Sequence, residues 1–140
     1  MKKTMSSVWA FLPIALVTVA GLGCATGTSG TAMAATDLAS LAGMWSGSIT
    51  TPAGRPVPGT LELAPSGDYV ARAGSFSAQG KAQVKDGKVM LTSTSTAGGM
   101  ATGQRTSTAN LSKRADGALV LTGNGHADAG PFSFEVVRQK

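Results

Sequence analysis

The segment Val84-Lys85-Asp86-Gly87-Lys88-Val89-Met90-Leu91 reads as a β-hairpin. Glycine at the second turn position tolerates the positive φ that tight hairpin turns demand. Beyond the turn, Val89 and Leu91 flank Met90, the two-residue period of a half-buried strand. The same punctuation recurs at Ala53-Gly54, Ser66-Gly67, Gly98-Gly99, Asp116-Gly117 and Asn124-Gly125. Between the turns the alternation repeats. Leu61 and Leu63 oppose Thr60 and Glu62, Leu119 and Leu121 flank Val120, and Phe132, Phe134 and Val136 share one face. After Ala42 no stretch shows helical i, i+3, i+4 spacing, and Gly and Thr are too frequent for one.

Eight short antiparallel strands follow from this reading: 44–50, 59–64, 68–73, 76–85, 88–95, 106–113, 118–123 and 131–138. Tight turns between neighbours make an up-and-down meander the simplest topology. Closing eight strands into a barrel removes the edges that a flat sheet leaves open to aggregation. The fold class is therefore all-β, a small eight-stranded antiparallel barrel. Its inward positions hold much Ala, Ser and Gly, so the interior is either narrow or incompletely filled.

The domain's first residues carry a resemblance. Thr36-Asp37 can cap one helical turn through Leu38-Ala39-Ser40-Leu41, and Gly43-Met44-Trp45 then opens the first strand. A helical turn feeding a Gly-x-Trp strand resembles the calycin barrels, the group of lipocalins, avidins and fatty-acid-binding proteins. In lipocalins that Trp packs across the closed end, beneath a basic residue near the end of the last strand. The resemblance implies the same for Trp45, with Arg138 as its partner. Two departures stand out: the domain is shorter than a lipocalin, and it lacks an avidin's aromatic lining. Ligand identity is not carried over.

Upstream, Lys2 and Lys3 precede an apolar run from Val8 to Leu22, and Gly21-Leu22-Gly23 leads into Cys24, the only cysteine. This order resembles a bacterial lipoprotein signal peptide, which implies acylation of Cys24 and a membrane anchor at that residue. Residues 1–23 are then the signal peptide, 24–36 a flexible tether of Gly, Thr, Ser and Ala, and 37–140 the barrel domain. The expected location is the bacterial cell envelope, at the outer membrane or its periplasmic face. The rival reading is simple secretion to the periplasm or beyond, with cleavage after the small-x-small sequence Ala32-Met33-Ala34. The apolar run contains Pro13 and is short of the ~20 residues that a spanning helix needs.

Charge and chemistry narrow the functional classes. The net charge of +5 falls to +3 without Lys2 and Lys3, as ten Lys and Arg then face seven Asp and Glu. The basic residues are scattered, with few aromatics among them, so a nucleic-acid partner is not expected. With Cys24 acylated, no thiol is left for a disulfide, redox chemistry or a cysteine metal site. His126 is the only histidine, in Asn124-Gly125-His126-Ala127-Asp128. One His and one Asp fall short of a zinc set, and no Gly-x-Ser-x-Gly elbow supplies a nucleophile. His126 reads as part of a solvated hairpin loop, and Asp68-Tyr69 as part of a turn. No catalytic, metal or cofactor site is expected, and the chain is read as no enzyme. The loops Thr51–Gly59, with three prolines, and Thr96–Arg105 are candidate rims of the barrel mouth. The leading expectation is a binding module for a small apolar ligand or a peptide. The alternative is an interaction lipoprotein that docks another envelope protein without a pocket.

Overall fold

A computed structural model describes residues 30–97, 105–127 and 130–140. Cys24, the signal segment and the Gly98-Gly99 turn lie outside the described residues. The strands are β1 (Thr31–Met33), β2 (Gly43–Thr50), β3 (Pro56–Leu63), β4 (Asp68–Ala73), β5 (Phe76–Lys85), β6 (Lys88–Ala97), β7 (Arg105–Lys113), β8 (Leu119–Ala127) and β9 (Gly130–Arg138). From β2 to β9 each strand pairs antiparallel with the next, and β9 pairs back onto β2. The result is a closed eight-stranded antiparallel barrel, with β1 as an added strand.

Alternation along these strands sets the core. Trp45, Ile49, Leu61, Leu63, Val89, Leu91, Leu111, Leu121, Phe134 and Val136 are all buried in one cluster. The Asp86-Gly87 turn has φ of 53° and 74°, the doubly positive geometry that suits the right-handed twist of β5 and β6. Near the other end of that pair the register shifts between Gln79 and Gly80. Such a bulge bends the strands and helps a narrow sheet to close.

Three elements depart from the expected boundaries. β3 begins at Pro56, inside the stretch expected as a proline loop, and Pro56 and Pro58 pair in register with Thr50 and Ser48 of β2. β4 joins β3 only from Gly59 onward, so both prolines lie where the strand has a single neighbour and a missing N–H goes unfelt. The connection shrinks to a turn in which Thr51 N–H donates to Arg55 O. β8 runs through Asn124-Gly125 to Ala127, so that dipeptide is strand and not turn. The third departure is at the start of the domain. Within the stretch read as tether, Thr31–Met33 forms β1 on the edge of β7, pairing with residues 111–113.

The two ends of the barrel differ. Residues 31–42 cross the end that carries the β3–β4, β5–β6 and β7–β8 turns. Ala35, buried, donates its N–H to Gly87 O at 2.8 Å, and Leu38 packs near Gly67 of the β3–β4 turn. Asp37 accepts from Ser40 N–H at 2.7 Å and so caps a 3₁₀ turn, Ala39–Leu41, that seats Leu41 in the core. This end is plugged. The opposite end, where β4 meets β5 at Gly74-Ser75, carries a cavity.

Candidate functional site

Trp45 and Arg138 both belong to the plugged end. They are register partners on β2 and β9, the pair of strands that closes the barrel. Trp45 is fully buried, and its indole N–H donates to Leu41 O at 3.0 Å. The Arg138 guanidinium donates to Ser40 O at 2.8 Å and Ala42 O at 2.6 Å. One cation thus ties the end of the last strand to two carbonyls of the crossing segment. This arrangement is structural, and it occupies only one end of the barrel.

The cavity at the open end has a volume of about 80 Å³. Its shape follows from unequal side chains on the inward register. Ile49, Leu61, Leu91 and Phe134 supply apolar wall, whereas Ala71 of β4, Ala78 of β5, Ser107 of β7 and Ala127 of β8 are too short to fill the centre. The Phe rings of β9 cannot fill it either, because they lie over glycines of β8. Phe134 pairs with Gly123 and Phe132 with Gly125. A β-carbon built on Gly123 would stand 2.5 Å from the Phe134 ring, and one on Gly125 would stand 2.7 Å from the Phe132 ring. The glycines thus hold the aromatic rings against the wall and keep the mouth open.

Two hydroxyls face this apolar space. Tyr69, on β4 beside Leu63 and opposite the bare Gly80 of β5, is 5% exposed. Its hydroxyl has no hydrogen-bond partner among the described residues, yet no buried side-chain oxygen is sealed off without a partner, so this one opens into the cavity. Burial pushes the phenol up to about 12, so it remains a neutral donor at any ordinary pH. Ser107, half-buried on β7, is the second; its hydroxyl likewise has no partner among the described residues. Ser93 differs. Its Oγ donates to Arg105 O at 3.2 Å and accepts from Arg105 N–H at 3.3 Å, so it is spent on a backbone pair.

Arg72, Arg105 and His126 stand at the rim. His126 is exposed and sits on β8, in register with Pro131, rather than in a hairpin loop. Asp128, two residues along the chain, lies outside the described residues. Six carboxylates are described: Asp37, Glu62, Asp68, Asp86, Asp116 and Glu135. All six sit on the crossing segment, the plugged half or the waist, where Asp68 pairs with Lys81 and Asp116 with Arg114.

Reading the sequence identifies the plug residues but not Tyr69, whose neighbour Asp68 draws it into a turn. The signal that finds it is alternation: Tyr69, Ala71 and Ala73 share the inward face of β4. Compared with known proteins, the chain matches no family model, no curated protein and no solved structure.

Proposed function

We propose that this chain is a lipid-anchored protein of the bacterial cell envelope whose calycin-like barrel receives the apolar end of a small ligand or peptide through its open mouth. The observation that carries the reading is the open-end cavity, walled by apolar side chains and kept clear by the Phe–Gly pairs of β8 and β9. Pockets that enclose a whole small molecule hold roughly 300 Å³ or more. At about 80 Å³ the cavity suits the tip of a chain or one side chain, with the rest of the ligand left outside.

The order of residues from Lys2 to Cys24 supports the anchor. Only residues 25–30 separate Cys24 from β1, and six residues reach roughly 20 Å when extended. The chain enters the barrel at its plugged end, so an acylated Cys24 holds that end toward the bilayer and turns the mouth away from it. Ligand then arrives from the aqueous side.

A methyl NMR titration with hexane tests the binding reading. Shifts confined to Leu61, Leu91, Ala71 and Ala78, and lost in Ala71→Leu, are the expected result. Shifts spread over the surface, or persisting in Ala71→Leu, would refute it and favour the interaction lipoprotein without a pocket.

A further inference from the structure

We infer that Tyr69 and Ser107 are ligand-contacting residues, and that the ligand is an apolar molecule carrying a neutral oxygen near its inserted end. The inference rests on the reading that the cavity takes a ligand, and it adds which chemistry the cavity recognises.

Three observations lead to it. The first is the state of Tyr69: a phenol 95% removed from solvent that makes no hydrogen bond to any described residue. Because no buried side-chain oxygen among the described residues is sealed off without a partner, this hydroxyl keeps accessible surface and stands ready to donate. It gains a partner when a ligand oxygen accepts from it. The second is the placement of Ser107. β4 and β7 are three steps apart in a ring of eight strands, so the two hydroxyls come from facing walls. A ligand oxygen entering the cavity finds a donor on either wall, while its carbon chain meets Leu61, Leu91 and Phe134.

The third observation sets the charge. The same burial that raises the Tyr69 phenol also disfavours a carboxylate placed beside it. The two arginines that line the cavity, Arg72 and Arg105, are both exposed to solvent. A ketone, ester or alcohol oxygen therefore fits the depth of the cavity better than an ionised head. Water is the competing occupant, since one molecule needs only roughly 10–15 Å³.

The test uses the full chain carrying Cys24→Ser, so that no acyl group competes, and three probes of equal length: 2-hexanone, hexane and hexanoate. Tyr69 is the only tyrosine, so a tyrosine band in the near-ultraviolet difference spectrum reports a new hydrogen bond to its phenol. Tyr69→Phe removes the hydroxyl and keeps the ring. We expect 2-hexanone to bind more tightly than hexanoate and to produce the tyrosine band. Its affinity should fall about threefold to tenfold in Tyr69→Phe, and less in Ser107→Ala, with hexane affinity unchanged in both. Equal losses for hexane and 2-hexanone in Tyr69→Phe would show that the phenol serves packing or a resident water, and would overturn the assignment. So would hexanoate binding most tightly. Either result leaves an apolar-ligand cavity standing, whereas failure of all three probes to bind removes the proposed function as well.

Discussion

Removal of the Trp45 ring probes how the barrel is closed. The ring is fully buried at the junction of β2 and β9, under the segment that crosses the plugged end. Replacing a buried Trp by Ala costs about 3–5 kcal/mol in lost contacts and residual cavity. The indole N–H also donates to Leu41 O, and Leu41 is itself 2% exposed, so its carbonyl is left with no partner. That adds about 1–3 kcal/mol, for roughly 4–8 kcal/mol in all. Domains of this size hold 5–15 kcal/mol of stability, so Trp45→Ala sits at or below the folding threshold. Trp45→Phe keeps most of the apolar area but loses the N–H, and should cost about 2–3 kcal/mol. Urea unfolding followed by far-ultraviolet circular dichroism measures both. A loss under about 1.5 kcal/mol for Trp45→Ala would refute the view that this ring closes the barrel.

Arg138→Ala removes two charge-assisted hydrogen bonds to Ser40 O and Ala42 O and should cost about 2–3 kcal/mol, read from the same urea midpoints. Proteolysis between residues 31 and 42 should speed up in that variant, because the crossing segment loses its tie to β9. Gly123→Ala places a methyl against the Phe134 ring and Thr108 O and should cost about 1–3 kcal/mol, with weaker hexane binding as the ring is pushed inward. For Tyr69 the folded phenol titrates at about 12, above its unfolded value, so its contribution is complete below pH 10 and is lost as pH rises from 10 to 12. Absorbance titration of this single tyrosine should show a midpoint near 12 in buffer and near 10 in urea, and equal midpoints would contradict its burial.

Much of the barrel is legible in the sequence because its hairpins are written in local chemistry. Asp86-Gly87 can do little but turn, and the flanking alternation places Val89 and Leu91 inward without reference to any distant residue. The misread places are those where a distant strand decides. Asn124-Gly125 has turn composition, but Phe132 and Phe134 need bare backbone beneath their rings, and so the glycines serve β8. Pro56 and Pro58 read as breakers, yet they meet no conflict where β3 has one neighbour. Thr31-Ala32-Met33 has the composition of a tether, and only the unpaired edge of β7 makes it a strand. The site is harder still to read. An Ala, a Ser or a Tyr at an inward position has no meaning alone. The cavity arises because Ala71, Ala78, Ser107 and Ala127, from four different strands, come to line one space, and that depends on how the strands are staggered.

The most direct measurement is chemical analysis of what the barrel carries. Wild type and Ala71→Leu, purified side by side from cell envelopes, would be extracted with organic solvent and compared by mass spectrometry. The account predicts a compound near one per chain with an apolar portion and a neutral oxygen, present in wild type and missing from Ala71→Leu. An identical extract from both proteins, with Ala71→Leu folded, would contradict it.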